Sequence, residues 1–196
     1  MARKLDTYRK KRDFTRTAEP EGGGRRTGKK QPMFVIQQHD ARAMHYDLRL
    51  EVDGVLASWA VPKGPSTDPR QKRLAVQVED HPLDYGDFEG RIGEGQYGGG
   101  AVIVWDTGSY ENLTEKKGEP VGMAEAIENG HAKFALDGKK LRGAYALTRT
   151  RDGKKPQWIL VKMNDADADR RRNPVSTQPE SVLSGRTVKD VAAEEG

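Results

Sequence analysis

From His45 onward polar and apolar residues alternate, with His45, Asp47, Arg49 and Glu51 in one phase and Tyr46, Leu48, Leu50 and Val52 in the other. A period of two marks a half-buried β-strand, so each set shares one face of a sheet. The alternation resumes after Asp53-Gly54, a dipeptide suited to the two-residue type I′ turn of a hairpin. With that turn, Val52 faces Val55, Leu50 faces Ala57, Leu48 faces Trp59 and Tyr46 faces Val61, all on an apolar side. On the polar side Arg49 faces Ser58, Asp47 faces Ala60 and His45 faces Pro62, and Lys63 follows onto the same face. The hairpin thus buries one side and leaves room over Asp47 on the other.

The rest of the pattern is also strand-rich. Met33 to Gln37 reads as a short strand delivering His39. Arg73 to Glu79 reads as another, pointing Leu74, Val76 and Val78 inward. Ala101 to Trp105 is a continuous apolar strand. Gly122 to Asn129, closed by Gly130, has the form of a short helix with a glycine C-cap. Further strands begin at Phe134 and run through Tyr145, Leu147 and Trp158 to Lys162. Many short strands with Gly-rich turns and little helix predict a mainly β fold, an antiparallel barrel or sandwich. The body spans 32–165. Before it, residues 1–31 form a basic, partly flexible arm ending in a glycine-rich linker. After it, residues 166–196 form a charged, loosely held tail.

Charge sharpens this division. The chain carries a net charge of +4, but residues 1–30 hold eleven Lys/Arg against four Asp/Glu, leaving the remainder acidic. Such an arm serves as a solubilising tail or neutralises phosphates along a nucleic acid. No run approaches the ~18 apolar residues of a membrane span, and no apolar stretch follows the basic start, so no membrane partner or secretory signal is expected. The absence of cysteine removes disulfides and thiolate ligands and fits a cytoplasmic protein.

The chemistry concentrates on the polar face of the hairpin. Imidazole, carboxylate and guanidinium on consecutive same-face positions stand about 6.5–7 Å apart, a spacing that suits a metal held beside a phosphate. Taken alone, the same face fits equally a solvated strand with cross-strand ion pairs. Neutral histidines with one carboxylate suit a first-row divalent ion better than calcium. Arg49 and a protonated His81 would neutralise phosphoryl oxygens, and His81 would protonate a leaving alkoxide. Two other patterns are declined. Gly93 to Gly98 spells GxGxxG but is followed by more glycine and a strand rather than a helix. Asp165 to Asp169 starts like a calcium loop but places Arg170 where glycine is required. His131 follows the Gly130 cap without a polar constellation around it.

Three blocks together resemble a known family. Gln37-x-His39-Asp40-Ala41-Arg42-x-x-His45-Tyr46-Asp47-x-Arg49, Ser58-Trp59-Ala60-Val61-Pro62-Lys63-Gly64-Pro65 and Val78-Glu79-Asp80-His81-Pro82-Leu83-Asp84-Tyr85 are similar to the 3′-phosphoesterase module of bacterial DNA ligase D. The likeness covers roughly residues 8–165. It implies a compact β-barrel with one or two short helices and a crescent-shaped groove. It implies manganese bound through His39, His45 and Asp47, with zinc or cobalt as other first-row candidates. It implies phosphate contacts from Arg49 and His81, a further active-site role for Tyr85, and support from Ser58, Lys63 and Arg73, with Gln37 nearby. In the arm, Arg12-Asp13-Phe14-x-x-Thr17-x-Glu19-Pro20 is similar to the family's N-terminal segment, which implies that Asp13 and Glu19 act on ends carrying a ribonucleotide.

The activity implied is removal of 3′-phosphates and trimming of 3′-ribonucleotides from DNA or DNA–RNA primer-templates. Both prepare ends for ligation in non-homologous end joining in a bacterial or archaeal cytoplasm, at the nucleoid. The expected partners are ligase and polymerase modules and end-binding proteins. The chain reads either as a stand-alone enzyme or as a piece of a larger repair protein. A non-catalytic nucleic-acid-end-binding barrel is the alternative. Such a module needs exposed aromatics for stacking, and the hairpin's Tyr46 and Trp59 fall on the apolar side.

Overall fold

A computed structural model of the chain describes residues 2–24 and 31–194. The chain begins with α1 (Ala2–Lys10) and continues through β1 (Met33–Asp40), β2 (Met44–Val52), β3 (Val55–Val61) and β4 (Arg73–Pro82). After a 3₁₀ turn (Leu83–Asp87) come β5 (Gly90–Ile92), β6 (Gly100–Asn112) and the two-residue pair β7 (Glu115–Lys116) and β8 (Glu119–Pro120). Then follow α2 (Met123–Asn129), β9 (His131–Gly138), β10 (Arg142–Arg151), β11 (Gln157–Lys162), α3 (Pro174–Thr177) and α4 (Val188–Ala193).

The main sheet runs β1-β2-β3-β4-β11-β10-β9-β6-β5, its pairings among the described residues are antiparallel, and β1 also pairs with β6. That second pairing closes β1, β2, β3, β4, β11, β10, β9 and β6 into an eight-stranded barrel, with β5 attached to the outside of β6. The β2–β3 hairpin has the expected register, with Asp47 opposite Ala60 and Leu48 opposite Trp59. Its turn requires positive φ at both central residues, and Asp53 and Gly54 supply 50° and 79°. The α2 helix ends, as expected, at a left-handed Gly130.

The barrel interior is filled by the even-numbered residues Phe34, Ile36, Tyr46, Leu48 and Leu50 of the first strands, together with Trp59, Trp158, Phe134 and Tyr145. Trp59 and Trp158 meet edge to face with ring centroids 5.7 Å apart. Strand alternation therefore sends Gln37, His39, His45, Asp47, Arg49, Ser58 and Ala60 to the outer face.

Strand β4 corrects one expectation. Ala75, not Leu74, Val76 or Val78, faces the interior: Ala75 is fully buried and Leu74 is 41 % exposed. Two indole rings already fill the space beneath, so the small side chain fits inward and the larger ones turn out. A register shift between β3 and β4 then matters for chemistry. Leu56 pairs with His81 and Ser58 with Val78, so β4 carries one extra residue over this stretch. Without that bulge the alternation would aim His81 into the barrel; with it, His81 joins the outer face.

The terminal segments also differ from expectation. The described part of the basic arm packs on the outer face of the barrel. Tyr8 is fully buried in an outer cluster with Met33, Val35, Leu56, Leu83, Tyr85 and Val104, and Phe14 packs against it. Residues 25–30 of the expected linker lie outside the described residues, whereas the Gly24 amide donates to Asp84. The tail is held as well. Val188 and Val191 pack on Ala101 and Ile103 of β6. Trp105 Nε1 and Lys140 Nζ both donate to the Gln178 carbonyl, at 2.7 and 2.9 Å. The Thr187-x-x-Asp190 capping box that starts α4 was the signal available in the sequence. No helix among the described residues is long and apolar enough to cross a membrane.

Candidate metal centre and phosphate site

His39 and His45 are directly opposed across β1 and β2, and Asp47 lies one same-face step along β2. Their ligand atoms all fall within 4.8 Å of one another. His45 Nε2 stands 3.3 Å and His39 Nδ1 3.8 Å from Asp47 Oδ2. The other nitrogen of each ring faces a backbone carbonyl: His39 Nε2 donates to Gly98 O at 2.7 Å and His45 Nδ1 to Ala43 O at 3.1 Å. The nitrogen of each ring that faces Asp47 is thereby left free of any backbone carbonyl, the outer-shell arrangement that prepares histidines for a cation once that nitrogen gives up its proton. Burial alone would raise the Asp47 carboxyl, but the Arg49 guanidinium and the two imidazoles outweigh it and hold it well below the usual carboxylate range. Two imidazole nitrogens and one carboxylate oxygen, converging in this way, suit a first-row divalent ion better than calcium, which prefers oxygen ligands.

Beside this triad the Arg49 side chain is clamped. Its Nε donates to Gln37 Oε1 at 2.7 Å, Nη1 to Ser58 Oγ at 2.9 Å, and Nη2 approaches Asp47 Oδ2 at 3.5 Å. Gln37 is itself oriented, because its amide nitrogen donates to the carbonyls of Tyr85 and Phe88. The guanidinium lies 4.8 Å from the Tyr85 ring centroid. A planar cation fixed on several sides presents its remaining N–H groups in one direction, as recognition of a phosphate demands.

The N-terminal segment completes the wall. Arg12 Nε donates to Glu19 Oε1 at 2.9 Å, and Tyr85 Oη donates to the same oxygen at 2.9 Å. Arg12 also reaches Glu79 at 3.3 Å and stacks 3.9 Å over the Tyr8 ring. His81 sits among these groups, with Nδ1 donating to Glu79 O at 2.9 Å. It is not the charged residue that its acidic neighbours in sequence suggest. Burial, then Arg49 and Arg12, press its pKa well below the usual imidazole value. Burial and Glu19 likewise push the Tyr85 hydroxyl well above its ordinary range.

A cavity of about 1020 Å³ unites His39, His45, Asp47, Arg49, His81, Tyr85 and Glu19. Ser58 is buried beneath Arg49 and acts on it from below. Three expected residues are not brought into the cavity. Asp13 is exposed, and its carboxylate caps the amide and hydroxyl of Thr15. Lys63 is exposed after β3. Arg73 lies at the far end of β4, donating to Gln71. Conversely, the cavity is lined by Arg12, Glu79, Tyr97 and Lys155, which strand patterning did not single out. Arg12 and Tyr97 come from segments without strand periodicity, and only their fold around the barrel brings them together.

The comparisons with known proteins agree with this geometry. The family model described as DNA Ligase D 3′-phosphoesterase domain matches residues 37–149. The chain is 51 % identical over 188 residues to the multifunctional non-homologous end joining protein LigD of Pseudomonas aeruginosa, covering 94 % of this chain and 22 % of that protein. It is 41 % identical over 190 residues to the protein of the same name from Mycolicibacterium smegmatis, covering 96 % and 24 %. It is 45 % identical over 165 residues to the multifunctional non-homologous end joining DNA repair protein LigD of Mycobacterium tuberculosis, covering 84 % and 20 %. The chain thus spans between a fifth and a quarter of the length of these relatives. By the family match and these identities, the chain belongs to the DNA ligase D 3′-phosphoesterase domain family.

Proposed function

We propose that this chain is a manganese-dependent 3′-phosphoesterase that heals DNA ends, removing 3′-phosphates and trimming 3′-ribonucleotides to leave 3′-hydroxyls for ligation. One observation carries the reading: a His-His-Asp triad, buried at His39 and Asp47 and half-buried at His45, shares one outer barrel face and one cavity with a clamped arginine. His39 Nδ1, His45 Nε2 and Asp47 Oδ2 would hold the ion, which would polarise a phosphoryl oxygen and activate water for attack.

The protein's own groups divide the remaining work. Arg49 offers N–H donors to the phosphoryl oxygens, where transition-state charge gathers, and Gln37 and Ser58 hold it ready. His81 enters the reaction neutral. A phosphate dianion beside it favours the imidazolium, so a proton taken up at Nε2 becomes available to the departing 3′-oxygen. Arg12 releases its contact with Nε2 when that proton arrives. The partners of this reading are DNA or DNA–RNA primer-template ends, with ligase and polymerase modules and end-binding proteins acting on the product.

The non-catalytic alternative leaves unexplained why a carboxylate and two histidines share a buried site with an arginine, since burying charge has a cost that binding alone does not require. The test is to incubate the chain with a duplex bearing a recessed 3′-phosphate, with and without manganese. Release of inorganic phosphate only with the metal supports the reading. Tight end binding without release under any divalent ion would establish the alternative.

A further inference from the structure

Among the described residues, Tyr97 is the one exposed Phe, Trp or Tyr side chain. The three Trp, the four Phe and every other Tyr are buried or half-buried, while Tyr97 keeps 46 % of its surface open. A lone exposed apolar residue is ordinary. This one is distinguished by where it stands and how it is held.

Tyr97 lines the same cavity as the triad, on the glycine-rich loop between β5 and β6. The carbonyl of the next residue, Gly98, accepts the hydrogen bond from His39 Nε2, so the ring is carried one residue from a contact to a candidate metal ligand. The loop is pressed against the β1–β2 turn: a Cβ at Gly100 would lie 1.9 Å from Asp40 O, and only glycine permits that approach. The ring is also anchored from the other wall. Lys11 Nζ donates to its hydroxyl at 3.1 Å and lies 4.6 Å from its centroid, and the Arg12 guanidinium is 5.3 Å away. Tyr97 is thus an ordered aromatic surface with cations beside it, at the mouth of a phosphate site.

We propose that Tyr97 is the stacking platform for the nucleobase of the terminal nucleotide, seated as its 3′-phosphate reaches Arg49 and the triad. The proposal rests on the phosphoesterase reading and adds a base subsite to it. Every base has a π-face, so an aromatic platform accepts any terminal base, and this suits a site that must act on ends of any sequence. Lys11 and Arg12 lie over the ring and add cation–π character.

The test is a binding titration of the full chain, without metal, against a 3′-phosphorylated primer-template whose terminal nucleotide is normal or abasic. Wild type and Tyr97→Phe are expected to bind the base-bearing end roughly 5- to 150-fold tighter than the abasic one, the range expected for one stacked base. Tyr97→Leu, which keeps bulk but not the ring, should bind the two ends alike. The proposal is overturned if wild type does not distinguish the ends, or if Tyr97→Leu still does. It is overturned too if Tyr97→Phe loses as much as Tyr97→Leu, which would assign the effect to the hydroxyl contact with Lys11. Failure to bind either end, both without metal and with manganese added, would sink this subsite and the phosphoesterase reading together. A chain that discriminates between the ends yet releases no phosphate once manganese is added would sink only the latter.

Discussion

Arg12 Nη2 stands 3.4 Å from His81 Nε2, and because a guanidinium has no lone pair, that imidazole nitrogen must be the acceptor. The proton therefore resides on Nδ1, which donates to the Glu79 carbonyl. ¹⁵N shifts of His81 in the substrate-free protein at pH 6 should show the neutral Nδ1–H tautomer. A charged ring at that pH would contradict the assignment.

The same depressed pKa has a consequence for stability. The unfolded chain takes up a proton at this residue as pH falls through about 6.5, while the folded chain resists. The stability that His81 contributes is therefore fully present above that value and is lost as pH falls towards the folded pKa. Urea midpoints of wild type and His81→Gln, followed from pH 7.5 to 5, should show wild type losing more than the variant. A constant gap would mean that His81 titrates normally.

Asp47 is placed to hold a cation, and Arg49 is not. Asp47→Asn and His45→Ala should each lower manganese affinity by more than the roughly 10–100-fold typical of losing an outer-shell partner. Arg49→Ala should retain the metal while slowing turnover about 10²–10³-fold. Calorimetry and single-turnover rates separate the two effects. Loss of the ion in Arg49→Ala would overturn the division.

Gln37 makes a subtler prediction. It touches no reacting atom, yet it joins Arg49 to the carbonyls of Tyr85 and Phe88. Gln37→Leu should lower turnover by less than Arg49→Ala and leave metal affinity unchanged, and Gln37→Glu should restore part of the rate by returning an acceptor to Arg49 Nε. If Gln37→Leu matched wild-type turnover, the clamp would have no part in positioning Arg49.

The arm can be tested as part of the fold. Tyr8 is fully buried, its hydroxyl donates to Pro20 O at 2.6 Å, and its ring packs 5.0 Å from His81. Tyr8→Ala should cost about 3–5 kcal/mol of unfolding free energy, as for other large aromatic truncations. A cost near zero in chemical denaturation would mean that the arm adds nothing to the stability of the barrel.

The hairpin, its turn and the polar face were legible because a period of two and an Asp53-Gly54 turn specify register locally. The metal candidates lie on that face and were legible with it. What escaped was set by long-range contacts. The outward turn of Val76 and Val78 depends on Trp59 and Trp158 filling the interior, which no property of β4 announces. The aim of His81 depends on one extra residue opposite β3. Arg12 and Tyr97 meet only because α1 and the glycine-rich loop close over the same barrel face. The charge of His81 follows burial and then Arg49 and Arg12, which are distant in the chain, more than its acidic neighbours in sequence.

The strand that carries His39 and Gln37 is hydrogen-bonded along both edges, to β2 and to β6. Neither residue can be released by fraying of a sheet edge; freeing them requires the ring of strands to part. The amides of residues 35–39 should therefore exchange with solvent only through cooperative unfolding of the whole barrel. A ligand gripping the triad would then slow exchange throughout the barrel, far beyond its own contacts, because occupancy and global opening are linked by mass action.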